Sequence, residues 1–308
     1  MINRILIRIK VLQIVFAFYQ NGENDLKVAE NELLLSLRRS YDLYYYFLLL
    51  IVEITQLQEQ RIEAGKNKYR PSEEEMHPNM RFVDNRFVRQ VQSNEALLKY
   101  VKDHGISWMN ETDFVKEILD KILASDIYLD YLENPDDSYQ TDREFWRAVF
   151  RRLICGNREL EEALENISIY WNDDVDIIET FVIKTIKRFA ESAGSKQELL
   201  PMFKDEEDYE FVLTLFRQSL MHGDAYRERI SHHLKNWESE RIANMDLVIM
   251  QVALAELLNF PKIPINVTLN EYIDAAKYYS TPKSGPFING ILDAVIQELK
   301  NEKLLPRD

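Results

Sequence analysis

A lysine, a serine and several aromatic residues lie together near the end of the sequence. Lys283 and Ser284 come just before Pro286, and proline is favoured in the first turn of a helix, so a helix is predicted to begin here. The free backbone N–H groups at a helix N-terminus accept phosphate, and Lys283 and Ser284 would add a positive charge and a hydroxyl. Aromatic residues that could stack on unpaired RNA bases flank this point: Tyr278, Tyr279 and Phe287.

The same residues also suit a helix that is only capped and packed, because a lysine and buried aromatic residues are common at helix starts in bundles. The pattern therefore leaves two interpretations open, an RNA-binding surface and an ordinary helix end. The formal net charge of −14 argues against indiscriminate nucleic-acid binding, since phosphate attraction dominates non-specific affinity. Any RNA contact must be a local patch.

Catalytic and metal-binding patterns are missing from the sequence. It contains no Gly-rich phosphate loop, no G-x-S-x-G elbow and no H-E-x-x-H pair. His232 and His233 are adjacent, so on a helix they point about 100° apart and do not form a metal pair. The acidic residues 205–210 lack the glycine and spacing of a calcium loop and fit a helix start better. We predict a protein that is not an enzyme and needs no cofactor.

The composition is that of a globular helical protein. Of 308 residues, only 8 are glycine and 9 are proline, which favours long helices over a sheet. Cys155 is the single cysteine, so no internal disulfide forms. Residues 43–52 are the most apolar run and are too short to span a bilayer. We expect a cytoplasmic, all-α protein.

The helices expected around the candidate site follow from apolar spacing and from breakers. Residues 3–20 predict a first helix that is apolar nearly all round, and residues 25–60 predict a second, interrupted near 40–42. The polar segment 64–78 is the best linker candidate. Before the final helix, residues 244–259 predict an amphipathic helix.

A short extended stretch is expected between the last three helices. Pro261 and Pro264 favour extended backbone, and residues 265–269 alternate as a strand does. Residues 268–271, Thr-Leu-Asn-Glu, have the form of a capping box, so the next helix is predicted to start at about Asn270.

Three motifs in this region resemble the NusB family. Residues 263–279 (IPINVTLNEYIDAAKYY) resemble the family's run of proline, short extended stretch, Asn-Glu, then Ala-Lys and an aromatic residue. Residues 287–293 (FINGILD) are similar to its Phe-Val-Asn-Gly-Val-Leu-Asp signature. Residues 245–257 resemble the family helix that ends in Ala-Leu-x-Glu-Leu. The resemblance covers about 205–300, and residues 1–36 match more weakly.

The resemblance implies a helical bundle that pairs with NusE, a small-subunit ribosomal protein. The pair would bind the boxA element of nascent ribosomal RNA and help the transcription elongation complex resist termination. No interaction with a membrane is expected. RNA contacts would come from the first helix and from the loop described above: Arg4, Arg8, Lys277, Tyr279, Ser284, Phe287 and Asn289, together with Lys283. The partner face would involve Asp246 and Gln251.

Several positions depart from the family pattern. An acidic residue common in the loop corresponds to Lys283 here, and Pro286 replaces a basic residue. Near the start, where relatives carry consecutive arginines, this sequence has Ile5 and Leu6. We therefore expect RNA binding to need the partner.

The resemblance also divides the chain. We predict N-terminal helices of a NusB-like bundle at 1–60, a large helical insertion at 61–204, and the C-terminal RNA- and partner-binding bundle at 205–303. Two alternatives to antitermination remain at this point. One is a protein-binding scaffold that has lost RNA binding; the other, an RNA-modifying enzyme, would need a strand-rich cofactor domain that the sequence does not predict.

Overall fold

The computed structural model describes residues 1–23, 25–234 and 243–305. Every regular element in these ranges is a helix, so the predicted all-α class is confirmed. The α-helices are α1 Arg4–Gln20, α2 Leu26–Lys66, α3 Glu73–Met76, α4 Arg86–Gln92, α5 Glu95–His104, α6 Thr112–Leu123, α7 Asp126–Glu133, α8 Tyr139–Val149, α9 Arg158–Ile167, α10 Val175–Arg188, α11 Glu206–Met221, α12 Gly223–His233, α13 Asn244–Asn259, α14 Ile265–Tyr279 and α15 Ser284–Asn301. A π-helical turn, Phe150–Ile154, extends α8, and short 3₁₀ turns lie at Met109–Glu111, Ile169–Trp171 and Glu191–Lys196.

The chain forms two compact units. The split unit combines Ile2–Leu37 with the described residues from Phe203 onward, and the middle unit contains Arg38–Met202 together with Met1. The split unit thus joins the two stretches, 1–36 and 205–300, that resemble the NusB family. The domain boundaries given above stay a prediction, because compactness does not show which residues smaller relatives lack.

Helix α2 continues through the break expected at residues 40–42. Ser40 and Asp42 are both buried, and each is held from outside the helix. The Ser40 hydroxyl donates to Asp174 (2.6 Å), and Asp42 accepts from the Tyr100 hydroxyl (2.8 Å). The prediction of a break was wrong because these polar side chains find tertiary partners and do not compete with their own backbone. The linker candidate 64–78 is also partly helical, since α2 runs to Lys66 and Ser72 caps α3.

Helix α14 begins earlier than the sequence predicted. It starts at Ile265, directly after Pro264, so residues 265–269 are helical and not extended. The Thr268 hydroxyl donates to the buried Glu256 carboxylate (2.8 Å) and is not used as a cap. Proline fixes only its own backbone and that of its predecessor, which leaves the following residues free to enter a helix.

The cores of both units are apolar, as the spacing predicted. In α1, Leu6, Val11 and Val15 are fully buried, although Ile5 is 46% exposed. In the middle unit, Trp108, Trp146 and Trp171 are all buried. Asp205 caps α11 by accepting from the backbone N–H of Asp208 (3.1 Å), so the acidic stretch is a helix start, as expected.

Candidate nucleic-acid interface

The loop between α14 and α15 presents the candidate RNA-binding residues. Tyr278 is 84% exposed, Lys277 and Lys283 are exposed, and Tyr279, Phe287 and Asn289 are half-buried. We call these six residues the α14–α15 surface. Lys277 is paired with Asp274 (2.6 Å), whereas Lys283 forms no ion pair within the part of the chain that the structure describes. The surface therefore offers one unneutralised cation beside aromatic rings.

A buried carboxylate holds this loop in place. Asp246, in the first turn of α13, is only 5% exposed. It accepts hydrogen bonds from the hydroxyls of Ser280 (2.5 Å) and Ser284 (3.0 Å). The Ser284 hydroxyl also accepts from the backbone N–H of Thr281 (3.2 Å). We call these four residues the loop clamp, because they tie both ends of the loop to α13.

The loop clamp changes the role expected of Ser284. Its side chain is 1% exposed, so it has no surface to offer a phosphate. Asp246 already places a negative charge beside the first residue of α15, where a second anion would be repelled. The expected phosphate contact at the helix start does not fit this geometry, whereas Lys283 and the aromatic residues remain exposed or half-buried.

Arg8 is also buried. Its guanidinium makes two hydrogen bonds of 2.8 Å to Glu256, which is fully buried in α13, and lies 3.5 Å from Glu271 in α14. Thr268 and Tyr272 donate to the same Glu256 carboxylate, at 2.8 and 2.9 Å. Burial, and then the charge of Glu256, raise the pKa of the Tyr272 phenol well above its usual value, which keeps it a donor. Arg8 therefore joins α1, α13 and α14, and a direct RNA contact does not fit its 5% exposure.

Arg4 remains at the surface but is not near the loop. It pairs with Glu207 (3.0 Å) and Asp208 (3.3 Å), and its guanidinium lies 5.0 Å from the centre of the Phe211 ring. Its side chain is 33% exposed.

The contacts of α1 with α13 place Arg4 and Lys283 at opposite ends of the bundle. Helix α1 runs antiparallel to α13, because Arg8 meets Glu256 while Tyr19 meets Gln251. Arg4 thus lies beyond Glu256, whereas the loop clamp is at Asp246, ten residues or about 15 Å back along α13. The structure does not bring the two predicted RNA-binding segments into one patch.

Gln251, predicted to face a partner protein, is instead a buried hub. Its amide nitrogen donates to the Ser219 carbonyl (2.6 Å) and the Tyr19 hydroxyl (3.0 Å), and its amide oxygen accepts from Arg227 (2.6 Å). The Arg227 guanidinium lies 3.6 Å from the centre of the Tyr19 ring. Gly223 packs against this hub, where a Cβ atom would lie 2.9 Å from the Gln251 amide nitrogen. Gln251 and Asp246 are both inaccessible, so neither contacts a partner directly in this structure.

The sequence carried one overlooked signal for these networks. Arg8 and Glu256 are charged residues inside otherwise apolar helices, and buried charges are retained when they are paired. That signal identifies the two ends of the pair, but it does not show that Thr268 and Tyr272 complete it.

The described residues form neither a metal-binding cluster nor a membrane-spanning helix. No group of three His, Cys, Asp or Glu side chains is placed to hold a metal in residues 1–23, 25–234 and 243–305. Within the same ranges, none of the helices is both long enough and apolar enough to cross a bilayer.

Comparisons with known proteins converge on one family. The NusB family profile matches residues 173–297, which include α10 to α14 and most of α15. The chain is 35% identical over 127 residues to the transcription antitermination protein NusB of Salinibacter ruber, covering 39% of this chain and 79% of that protein. It is 38% identical over 94 residues to the protein of the same name from Methylacidiphilum infernorum, covering 30% of this chain and 66% of the relative. No solved structure matches the chain. The extent of these matches shows that the chain belongs to the NusB family of transcription antitermination proteins.

Proposed function

We propose that this chain binds boxA-type RNA of ribosomal RNA leaders together with NusE, and so acts as an antitermination factor in the cytoplasm. The observation that carries the proposal is the exposed Lys283 beside Tyr278 and Phe287, on a loop that the clamp fixes. A fixed loop costs little entropy on binding, because its conformation is already set.

The contacts divide by chemistry. Tyr278, Tyr279 and Phe287 provide ring faces for unpaired bases. Asn289 provides an amide further along α15, where it also donates to Asp293 (3.3 Å). Lys283 pairs with a phosphate, and Lys277 contributes less because Asp274 already neutralises it. Arg8, Ser284, Asp246 and Gln251 act by holding α13, α14 and α15 in position.

NusE is required in this proposal for an electrostatic reason. The chain carries a net charge of −14, and Asp246 adds a buried negative charge close to the loop. A single free lysine does little against this repulsion, so a partner that brings positive charge to the same RNA strengthens binding. Arg4 lies at the other end of the bundle and would reach only a separate part of a longer RNA.

A protein-binding scaffold without RNA binding is the second candidate. The observation that favours it is the loop clamp, which fills the anion-accepting helix start with Asp246. This candidate predicts NusE binding that does not depend on RNA.

A gel shift of boxA RNA, with and without NusE, separates the two candidates. The variant Lys283→Ala with Phe287→Ala is compared with Lys262→Ala with Tyr209→Ala, which also removes one exposed lysine and one aromatic residue from the split unit. Loss of stacking at Phe287 alone should cost about 1–3 kcal/mol, and loss of Lys283 should reduce the salt slope by about 0.7.

Each outcome has a defined meaning. Weaker binding in the first variant but not in the control supports the proposal. Equal binding by the two variants, or no shift of wild type with NusE present, rejects it in favour of the scaffold.

A further inference from the structure

The middle unit carries a basic surface of its own, formed by α8 and α10. Arg143, Arg147 and Arg151 are spaced four residues apart, so they follow one side of α8 and its π-helical extension. Arg143 donates to the carbonyl of Phe189 (2.8 Å), just past the end of α10. This side of α8 therefore faces α10.

A second contact fixes the direction of the two helices. Cys155, just after the π-helical turn, lies near Glu179 close to the start of α10, and the charge of Glu179 adds to burial in raising the pKa of the Cys155 thiol. Because Arg143 meets the end of α10 and Cys155 meets its beginning, the helices run antiparallel. Arg147 and Arg151 consequently lie along the length of α10.

Helix α10 contributes three more cations at its solvent-exposed surface. Lys184, Lys187 and Arg188 are exposed, as is Arg151. None of these four forms an ion pair in the part of the chain that the structure describes. We call Arg147, Arg151, Lys184, Lys187 and Arg188 the α8–α10 basic surface.

Acidic residues around this surface reduce its positive charge but do not neutralise it. Glu144 accepts from Arg147 (2.5 Å) and also pairs with Arg143. Asp176 lies on α10 near its beginning and Glu191 just past its end, both exposed. The four unpaired cations come from the segment between these two acidic ends and from Arg151, and together they would attract an anionic ligand to a protein of net charge −14.

The chemistry of the surface points to a nucleic acid and away from a protein. No large apolar side chain of α8, its π-helical turn or α10 is exposed, whereas the centre of a protein interface is usually apolar and poor in lysine. Lysines and arginines in rows contact phosphate groups without reading bases.

We propose that the α8–α10 basic surface binds the sugar-phosphate backbone of single-stranded RNA, as a second RNA-binding site independent of the α14–α15 surface. RNA is favoured over other polyanions because the chain belongs to a family of transcription factors that act during RNA synthesis.

The test measures binding of a fluorescent uridine 20-mer to the full chain by anisotropy over a range of salt concentrations. The variant Arg151→Gln, Lys184→Gln, Lys187→Gln is compared with Lys99→Gln, Lys116→Gln, Lys121→Gln. The control removes the same charge from the middle unit, at lysines that are already paired with carboxylates. Circular dichroism checks that both variants keep their helices.

Loss of three phosphate contacts should lower the salt slope by about 2 and weaken binding at low salt roughly tenfold or more. When 4-thiouridine replaces uridine in the 20-mer, its photocrosslinks should fall in residues 143–155 or 175–190. The proposal is overturned if both variants match wild type, if they weaken binding equally, or if wild type does not bind the 20-mer. Crosslinks confined to the α14–α15 surface would also overturn it, while leaving the proposed function intact.

Discussion

The buried pair of Arg8 and Glu256 gives the sharpest prediction. Replacing Glu256 with Gln removes the negative charge that accepts two 2.8 Å hydrogen bonds from Arg8. The Arg8 guanidinium stays buried, and among the described residues Glu271, at 3.5 Å, is the carboxylate left beside it. Removing one partner of a buried ion pair costs about 3–5 kcal/mol, since the remaining charge stays without its counterion. The new amide group would also turn N–H donors toward Thr268 or Tyr272, which are donors themselves.

Hydrogen–deuterium exchange of peptides from α1, α13 and α14 measures this cost locally. Exchange should accelerate by roughly a hundredfold or more, because each 1.4 kcal/mol is about a factor of ten. The control is Asp274→Asn, which breaks an exposed pair with Lys277 and should change stability by under about 0.5 kcal/mol. If the Glu256 variant exchanges no faster than this control, the pair does not hold the three helices together.

A double variant tests whether Arg8 acts by position or by contact. Arg8→Met combined with Glu256→Gln removes both charges, so much of the lost stability should return. If Arg8 is only structural, boxA binding with NusE also returns. A stable double variant that still fails to bind RNA would show that Arg8 contacts RNA directly.

Three further predictions concern single residues. Burial raises the pKa of Glu179 from 4.5 to about 7, so the native chain keeps a proton that the unfolded chain loses. The free energy of unfolding should therefore fall by up to about 3 kcal/mol between roughly pH 4.5 and 7. In urea titrations Glu179→Gln should remove this pH dependence, and a wild-type free energy that does not change with pH would contradict the prediction. Asp246→Ala should speed amide exchange in residues 280–284 and weaken boxA binding with NusE by roughly tenfold, because about 1–2 kcal/mol of hydrogen bonding to Ser280 and Ser284 is lost. Unchanged exchange would show that the loop clamp does not order the loop. Gly223→Ala should lower the unfolding free energy by about 1–3 kcal/mol, because the new Cβ would press on the Tyr19 hydroxyl; urea titrations that match wild type would refute that close contact.

The sequence by itself determined the helical class and most of the elements near the site. Apolar spacing predicted α1 to within a residue, and Lys283, Ser284 and Pro286 located the start of α15. These features are local, because a helix needs only its own periodicity, caps and breakers. The family was also recognisable from three motifs in the last helices, and the comparisons confirmed it.

Tertiary structure decided which of the candidate residues are accessible. The apolar residues around Arg8 indicate that it is buried but not which residue pairs with it, and nothing in the immediate neighbours of Ser284 shows that it is buried. Glu256 is 248 residues from Arg8 along the chain, and Asp246 is 38 residues from Ser284. Periodicity shows which side of a helix is polar but not which distant side chain meets it, and only packing of the helices supplies that partner. The α8–α10 basic surface has the same origin, since its cations come from two segments of the chain that packing of α8 against α10 brings together.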